Sequence, residues 1–472
     1  MQTINGTVQY AKNGMIVAPV GHELTIEELQ GVIGFNRSQL KPRYRRNMDL
    51  YLGKHDILKD KPRPDDLDNR LAVNLPKYLV DTYTGYFLGI PPTIALDKDA
   101  PNQNLQNWLR ASSFVDKLTE ASKQVDIYGR TYLFAYQRED ASTGIMVAPP
   151  THNLIVYDDS VEHAPLAFLR YSFDQNKRLV YNVYYANKVK TYKDTTLLSE
   201  TVNPYGQVPA VEFFENQERT GVYDSVTTLI NALDRALSQK ANQIEYFDNA
   251  YLLLAGLKLP DKTIKIKKDD GSTITKQVVD ASIRKKRLIY APTIAPNSQV
   301  KAEFLQKPDA DNMQEHYLNR LTKLIYQISM VPDPNDESFS SNQSGVALKY
   351  KYLPMQNKAA SKERKFTQSL RGLFKIVFST GQVLPLSDKD DWQALNFTFT
   401  RNVPEDLNAA ISAAKSAEGV VSHKTQLSLL PFVSDPEKEI KQQEREQQDN
   451  IKAQRAAIGD LTDAEKADQD EQ

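Results

Sequence analysis

A polar stretch in the second half of the chain contains the side chains best suited to binding a cation. Asp333, Asn335 and Glu337 are two residues apart, like the first ligands of a calcium-binding loop. Such a loop needs glycine at its sixth position and glutamate at its twelfth, where this chain has Ser338 and Ser344. The pattern therefore favours a solvated loop over a calcium site, and loops of this length are usually functional or disordered.

No established catalytic motif is readable from the sequence. There is no G-x-x-x-x-G-K-[ST] phosphate loop, no G-x-S-x-G nucleophile elbow and no H-E-x-x-H zinc motif. The chain has no cysteine, which excludes disulfides and thiolate chemistry, and its six histidines are scattered. Asp158 and Asp159 are more typical of a turn than of a catalytic pair. The sequence therefore predicts no enzyme activity and no bound cofactor or metal.

Two segments concentrate positive charge. Residues 37–63 contain nine Lys or Arg and three Asp, which indicates a solvated helix face or an anion-binding surface. Residues 258–287 contain ten Lys or Arg and four Asp. In this second segment, contact with phosphate or with an acidic protein is as favoured as simple solvation. Its most concentrated basic residues are Lys265, Lys267, Lys268, Arg284, Lys285, Lys286 and Arg287.

Composition is typical of a chain with several globular domains. The 472 residues are 40% hydrophobic and 25% charged, and the net charge of −1 indicates no particular partner. No apolar run approaches the roughly 20 residues of a membrane span, and the first residues lack the pattern of a signal peptide. We therefore expect a protein that is made in the cytoplasm and does not contact a membrane.

Residues 36–218 are predicted to form one α+β domain, preceded by a loosely held arm at 1–35. A first helix starts near Leu40, a second begins at a cap at Asn74, and a third covers about 101–128. Strand patterns follow in RTYLFAYQ, GIMVAP, NLIVYDD, LAFLRYSF, RLVYNVYYAN and KVKTYK. Turn residues separate these runs, so a mixed α+β fold is expected.

A long helix and a short insert follow this domain. Apolar residues at steps of three and four continue for thirty residues from Val222 without proline or glycine, which predicts one long helix. A basic β-rich insert comes next, with a hairpin turning at Asp269–Gly271, and the helical pattern resumes near Met313. Because the insert is short, the two helices must lie near each other as a stalk that carries it.

The C-terminal part is predicted to be helical apart from one strand. A helix over about 344–378 contains Pro354, which removes a backbone donor and should kink the helix. The strand ALNFTFTRN precedes helices that open at Pro404, near Ser422 and at Pro436. The last thirteen residues hold six acids and one lysine, which is typical of a disordered tail.

Five blocks of sequence, taken in order, resemble portal proteins, the head-to-tail connectors of tailed double-stranded DNA phages. The blocks are YLGKHDIL, NRLAVNLPKYLVDTYTGYFLGIPP, NPYGQVPAVEF, FDNAYLLLAGL and LSLLPFVSDPEKEI. The resemblance runs in this order from about residue 36 to 445. The resemblance implies a portal-type α+β fold that assembles as a ring, typically of twelve subunits, around a channel for DNA.

The resemblance also implies a division of the chain into parts. The expected parts are an N-terminal arm (1–35), an α/β wing (36–218), stem helices (219–254 and 309–330), a β-rich clip (255–308), a tunnel loop (331–344), a kinked helix with a wing strand (345–403), a helical crown (404–455) and a disordered acidic tail (456–472). A ring of this plan is expected at one capsid vertex of the virion, after assembly in the host cytoplasm.

In the family that the chain resembles, the tunnel loop lines the narrowest part of the channel. The loop residues that this implies are Pro332, Asp333, Asn335, Asp336, Glu337, Ser338, Ser340, Ser341, Asn342 and Gln343. Lys349 and Lys351, just after the loop, are either part of a ring of positive charge in the channel or ordinary exposed helix residues. The basic clip residues are candidates for contact with DNA, the packaging motor or an adaptor.

The resemblance further implies a set of partners. They are double-stranded DNA, the terminase large subunit with its separate ATPase, the major capsid and scaffolding proteins, and a head-completion adaptor. Two alternatives stay open on the residues alone: a non-viral ring-forming or coiled-coil nucleic-acid adaptor, and a nuclease. A nuclease predicts carboxylates that cluster for a divalent metal, and none converge in the sequence. A portal forms a closed ring with a hole wide enough for a duplex. This feature distinguishes a portal from the adaptor.

Overall fold

The structure, a computed structural model, describes most of the 472-residue chain. The described residues are 1–61, 68–248, 252–255, 262–267, 273–278, 288–291, 300–304, 311–334, 345–403, 407–430, 433 and 435–469. Backbone contacts divide the chain into two units, of which the first is residues 1–343 with 347–401 and the second is residues 344–346 with 402–472.

The first unit contains an eight-stranded sheet. In spatial order its strands are β1 (Gln2–Asn5), β2 (Val8–Tyr10), β3 (Ile16–Ala18), β7 (Asn153–Asp158), β8 (Pro165–Phe173), β9 (Leu179–Tyr184), β10 (Lys188–Lys193) and β11 (Thr196–Val202). Neighbouring strands are antiparallel except β3 and β7, which are parallel. The four strands predicted between residues 153 and 193 are confirmed.

Residues 1–35 belong to this sheet, so the expectation of a loosely held arm is wrong. Their three strands form one end of the sheet, and helix α1 (Ile26–Phe35) packs on it, with Leu29 and Val32 fully buried in the same core as Leu169. The local periodicity is weak because each element is short. Such elements are stable mainly through tertiary pairing, which a local pattern does not reveal.

A second sheet packs against the first through aromatic side chains. Its central strand β5 (Arg130–Gln137) lies between β12 (Ala210–Phe214) and β6 (Thr143–Ala148), all antiparallel. Phe134 of β5 meets Phe168 of β8, with ring centroids 5.3 Å apart. The strands predicted for RTYLFAYQ and GIMVAP are confirmed.

Four further helices complete this part of the unit: α2 (Lys41–Tyr51), α3 (Leu75–Leu88), α4 (Asp99–Ala111) and α5 (Phe114–Tyr128). The predicted cap at Asn74 is confirmed, since its side chain accepts a hydrogen bond of 3.2 Å from the Lys77 N–H. The single helix predicted over 101–128 is two helices. Ser113 has a φ of 50°, in the left-handed region, which breaks the helical path between α4 and α5.

Helices α6 (Thr227–Asp248) and α7 (Asp311–Ser329) form the predicted stalk. They are antiparallel neighbours: Lys240 pairs with Glu315, and Gln314 Nε2 donates to Gln243 Oε1 over 2.5 Å. The prediction that the two helices lie near each other is therefore confirmed. Helix α6 is shorter than the thirty residues predicted, because a separate 3-10 turn precedes it and a strand follows within the expected helical range.

The insert between the two stalk helices contains five strands within its described residues. Strand β13 (Leu252–Ala255) pairs in parallel with β16 (Leu288–Ala291) and antiparallel with β17 (Lys301–Phe304). Strands β14 (Lys262–Lys267) and β15 (Thr273–Val278) form the predicted hairpin. Its turn at 269–271 lies outside the described residues. The LLLA sequence of β13 favours a helix by its local pattern, but pairing with strands on both sides makes it a strand.

The first unit ends with a long helix and a short strand. Helix α8 (Gly345–Phe378) includes Pro354, as predicted, and its kink stays a prediction. A 3-10 helix (Leu386–Ala394) leads to β18 (Asn396–Thr398), which pairs antiparallel with β4 (Thr93–Ala95). The predicted strand near residue 396 is therefore confirmed.

The second unit contains α9 (Leu407–Ser416), α10 (His423–Ser428) and α11 (Pro436–Gln469). The cap at Ser422 is confirmed, because its Oγ accepts a hydrogen bond of 3.3 Å from the Thr425 N–H, whereas Pro404 lies outside the described residues. Helix α11 extends to Gln469, through residues for which a disordered tail was expected from 456 onward, and disorder there stays a prediction. No proline follows Pro436, and Ala, Glu, Lys and Gln favour continuation of a helix.

The carboxylate of Glu28 connects α1 to the strands at the start of the chain. Its Oε1 accepts from the Thr7 N–H over 3.2 Å, and its Oε2 accepts from the Thr25 N–H over 3.0 Å and lies 2.7 Å from His22 Nε2. Burial opposes its ionisation, but the bonds from Thr25, His22 and Thr7 outweigh burial and lower the pKa of Glu28 to about 2. The ionised carboxylate therefore stabilises the position of α1.

We predict that Glu28→Gln lowers the free energy of unfolding at pH 7 by about 2–3 kcal/mol. The folded pKa is depressed, so the contribution of Glu28 is complete above the unfolded pKa and is lost as pH falls towards the folded value of about 2. Urea unfolding between pH 7 and pH 3 checks this, with Glu27→Gln, an exposed neighbour, as control. Equal stability of the two variants at pH 7 would contradict the prediction.

Candidate functional site

The loop predicted at 331–344 begins where α7 ends. Met330 has a φ of 61°, in the left-handed region, which ends the helix and turns the chain. Val331 follows and is only 2% exposed, so the start of the loop is anchored by apolar burial. Of the predicted loop residues, Pro332 and Asp333 are described. The others lie outside the described residues: Asn335, Asp336, Glu337, Ser338, Ser340, Ser341, Asn342 and Gln343.

A cleft of about 770 Å³ opens beside the start of the loop. Helix α7 supplies five of its lining residues, and the structure brings the predicted site residues Asp333 and Lys351 together at it, along with Lys323 of α7. Burial, together with the charge of Asp333, raises the pKa of Tyr326 in the same wall. The side chain of Lys349 lies outside the described residues. A lining that mixes both signs of charge suits weak contacts with water and ions better than tight binding of an apolar ligand.

Helix α3 contacts the helices on both sides of the loop. Tyr78 meets Tyr326 of α7 edge to face, with ring centroids 6.0 Å apart. Tyr86, two turns further along α3, stacks on Tyr352 of α8 at 6.4 Å. Aromatic pairs of this kind add about 0.5–1.5 kcal/mol each beyond their buried area. The two flanks of the loop therefore share one support.

Lys358 of α8 connects the two flanks directly. Its Nζ donates a hydrogen bond of 3.1 Å to the Ser329 carbonyl, in the last turn of α7. The carbonyls at a helix C-terminus are unsatisfied within the helix and attract a cation. The contact therefore holds the C-terminal end of α7 against the body of α8.

A buried ion pair fixes α8 further along. Lys362 Nζ lies 2.6 Å from Asp126 Oδ1 of α5, and both side chains are fully buried. Thr84 Oγ1 donates to the other carboxylate oxygen over 2.8 Å, and the ammonium lies 4.8 Å from the ring centroids of both Tyr83 and Phe87. Burial raises the pKa of Asp126, and the charge of Lys362 opposes that effect. Removing one partner of such a pair leaves a buried charge without compensation.

A second buried pair fixes the stalk helix α6. His55 Nδ1 lies 2.5 Å from Asp234 Oδ2, and both side chains are at most 1% exposed. The other oxygen of Asp234 accepts from the Val73 N–H over 2.8 Å. One turn later, Ser238 Oγ accepts from the Leu71 N–H over 2.9 Å. These contacts hold α6 to the segment that leads into α3.

The predicted basic site in the insert is described only in part. Lys265 and Lys267 lie in β14, opposite Thr275 and Thr273 of β15. Lys268, Arg284, Lys285, Lys286 and Arg287 lie outside the described residues. The hairpin therefore places two of the seven basic residues on one paired strand.

Both buried pairs were missed by the sequence analysis, although one left a trace. The apolar stripe of α8 includes Ala359 and Phe366, and Lys362 falls between them at the spacing of one helix face. A charged residue on the apolar face of a helix needs a buried partner. Asp126, which follows the buried Val125 in α5, is fully buried in the same way. Pairing the two from sequence alone would have required knowing that α5 and α8 are adjacent.

We predict that Lys362→Met lowers the free energy of unfolding by about 3–5 kcal/mol, because Asp126 is left buried without its ammonium. Chemical unfolding measures the loss, and Arg364→Met, an exposed position on the same helix, is the control. Adding Asp126→Leu to Lys362→Met should recover part of the stability, since Asp126 no longer leaves a buried charge without its partner. If Lys362→Met alone is as stable as the control, the pair does not hold α8.

The described residues show neither a metal centre nor a membrane span. Within them, no group of three or more His, Asp or Glu side chains is arranged to hold a metal ion. No helix among them is both long enough and apolar enough to cross a bilayer. What the site offers is a polar loop, held at its flanks by buried charges, and a cleft lined by both signs of charge.

Comparison with known proteins identifies the family. The family model described as phage portal protein, SPP1 Gp6-like, matches residues 35–453. The portal protein of Bacillus phage SPP1 is 24% identical over 430 residues, which cover 85% of this chain and 80% of that protein. The portal protein of Clostridium phage phiCD119 is 22% identical over 449 residues, covering 88% and 94%. The chain therefore belongs to the SPP1 Gp6-like family of phage portal proteins, as the five sequence blocks predicted.

Proposed function

We propose that copies of this chain assemble into a ring, with twelve subunits expected, at one vertex of a phage capsid. The channel along the ring axis passes double-stranded DNA into the capsid during packaging and out of it during ejection. Membership of the portal family supports this function, and it does not favour the non-viral adaptor. The observation within the chain that carries the proposal is the α7–α8 junction, where a polar loop is held firmly at its flanks.

The stalk separates two surfaces that need different partners. Helix α6 has 22 residues, so it is about 33 Å long. Because α7 runs antiparallel to it, the insert lies at one end of the stalk and the loop at the other. This geometry supports an assignment of the insert (255–308) to the clip and of residues 331–344 to the tunnel loop. We also assign the wing to 36–218, with residues 1–35 as part of its sheet, and the crown to 404–455.

A loop that lines a DNA channel must contact phosphates without holding them. Many lysines would neutralise many phosphates and release counterions, which makes binding tight and strongly dependent on salt. The described part of the junction has lysines and an aspartate together, so each contact is weak and breaks easily. Ring closure repeats each side chain in every subunit, so even one lysine becomes a ring of positive charge.

The clip and the outer surfaces supply docking sites in this proposal. The terminase large subunit, which carries the ATPase, docks on the clip during packaging, and a head-completion adaptor replaces it afterwards. The major capsid and scaffolding proteins contact the ring during assembly of the head. The basic hairpin residues Lys265 and Lys267 support an acidic or phosphate-bearing partner at the clip.

Electron microscopy of the purified protein tests the proposed assembly. We expect closed rings, viewed along the axis, with a hole wide enough for a DNA duplex and the loop residues on its wall. A closed ring too narrow for a duplex, or residues 331–345 located on the outer rim, would contradict the channel. Because some rings form only with capsid or scaffolding partners, the experiment includes co-expression with them.

We predict that Lys349→Ala combined with Lys351→Ala leaves rings intact but alters the amount of DNA packaged or retained, because a ring of positive charge is lost. A packaging assay with nuclease protection measures the effect. The matched control is Lys12→Ala with Lys389→Ala, which removes two exposed lysines elsewhere in the first unit. Packaging equal to that of the control would show that the two lysines do not act in the channel.

We predict that reversing the charges at Arg284–Arg287 weakens docking of the terminase or the adaptor by tenfold or more, since close like charges repel by about 1.4 kcal/mol or more. Pull-down of each partner measures docking, and thermal unfolding checks that the wing is unchanged. If rings no longer assemble, the cluster is a contact between subunits and the docking role is wrong.

A further inference from the structure

Three cationic side chains line one side of the helix that follows α1. Arg37, Lys41 and Arg45 are spaced by four residues, which places them on one helix face. The chain makes a π-helical turn at Asn36–Leu40 before α2 begins, and the Lys41 N–H donates to the Asn36 carbonyl five residues earlier. Single π-helical turns are rare and occur frequently at functional sites.

The ammonium of Lys41 is held in place by a neutral partner. The residue is 7% exposed, and its Nζ lies 2.7 Å from His152 Nε2 and 5.7 Å from the ring centroid of Tyr171. His152 Nδ1 lies 3.0 Å from Thr151 Oγ1. An imidazole that accepts at Nε2 and donates from Nδ1 is neutral, so His152 orients Lys41 without balancing its charge.

Hydrogen bonds connect the side chains around Lys41 to the backbone. Tyr171 OH lies 2.8 Å from Asn36 Oδ1 and 2.9 Å from the Thr151 carbonyl, and Asn36 Nδ2 donates to the Pro150 carbonyl over 3.2 Å. The guanidinium of Arg37 lies 4.9 Å from the ring centroid of Phe173. The π-helical turn, β8 and the loop before β7 therefore position Arg37 and Lys41 in advance of any ligand, whereas Arg45 is exposed.

Asp49 is the next residue on this helix face, and in the part of the chain that the structure describes it pairs with Lys59. No carboxylate there forms an ion pair with Arg37, Lys41 or Arg45. Burial lowers the pKa of Lys41, and the charges of Arg45 and Arg37 lower it further. Burial, with Lys41 and Arg45, likewise lowers the pKa of His152. A buried cation without a counter-charge is costly, so an external anion would stabilise the cluster.

We propose that Arg37, Lys41 and Arg45 form a binding stripe for the phosphates of double-stranded DNA, separate from the α7–α8 junction. The cations recur about every 6 Å along the helix axis, which suits a rod with regularly repeated charges. Two of the three are arginines, whose planar forks bind phosphate oxygens in pairs. The choice of DNA as the anion rests on the proposed function. The cluster itself rests on the geometry.

Duplex binding by the purified chain tests the stripe. The anisotropy of a short fluorescent duplex is followed at several salt concentrations for the parent and for Arg37→Gln with Arg45→Gln. We expect the double variant to bind several-fold more weakly. Its plot of log affinity against log salt should be less steep by about 2, since two phosphate contacts are lost. The control, Arg110→Gln with Lys389→Gln, removes the same charge from exposed positions and should match the parent.

A third variant and a competitor make the result decisive. Lys41→Gln, checked for folding by thermal unfolding, should weaken duplex binding as the arginine variant does. Unchanged affinity and unchanged salt dependence in the arginine variant would overturn the stripe. So would binding of poly-glutamate, but not duplex, that depends on Arg37 and Arg45, because the ligand would then be an acidic protein segment.

The proposed channel is tested by a different readout. Ring formation is followed by electron microscopy on the same samples. If no ring forms but duplex binding depends on Arg37 and Arg45, the stripe stands and the channel proposal fails. If rings form and package DNA but the arginine variant binds duplex like the control, the stripe alone is wrong.

Discussion

The buried contact between Lys362 and Asp126 is the constraint on which the position of α8, the helix after the loop, depends. An ion pair with no solvent access is directional, so α8 cannot slide along α5 without separating two charges in a medium that does not screen them. Apolar packing alone tolerates such shifts more readily, since one aliphatic contact replaces another. Helix α8 therefore has one register relative to the wing, and the residues that follow the loop are fixed with it.

A second buried pair fixes the stalk helices in the same way. The pair of His55 and Asp234 fixes α6, and α7 is held to α6 by polar contacts such as Lys240 with Glu315. Helix α3 lies between these anchors and contacts both α7 and α8 through tyrosines. The flanks of the loop are thus parts of one rigid arrangement in the first unit. These contacts fix α7 and α8, the two flanks of the loop, relative to the wing.

Two surfaces of the first unit treat negative charge differently. The cleft at the α7–α8 junction combines lysines with Asp333, so a passing anion meets attraction and repulsion together. The stripe of Arg37, Lys41 and Arg45 consists of cations, one of them buried and oriented by a neutral histidine. Preorganised cations without acids favour a long residence of a bound anion, whereas a surface of mixed charge favours rapid exchange of the anion. The cleft and the proposed stripe therefore differ in their balance of charge.

The sequence by itself determined the elements whose stability is local. The alternating run RTYLFAYQ is β5 from end to end, and the caps at Asn74 and Ser422 start their helices as predicted. The family could also be predicted, because several blocks recur in order. Hydrophobic periodicity and helix capping involve residues only a few positions apart, so a single segment of sequence is enough to detect them.

Only the tertiary structure decided the elements and the pairs that depend on distant partners. Strands β1 to β3 join the large sheet because β3 pairs with β7, and the LLLA run is a strand because β16 and β17 flank it. Lys362 and Asp126 are 236 residues apart in sequence, and neither shows locally that the other neutralises its burial. A buried charge is stable only where the fold places an opposite charge beside it. That placement depends on how the whole chain packs.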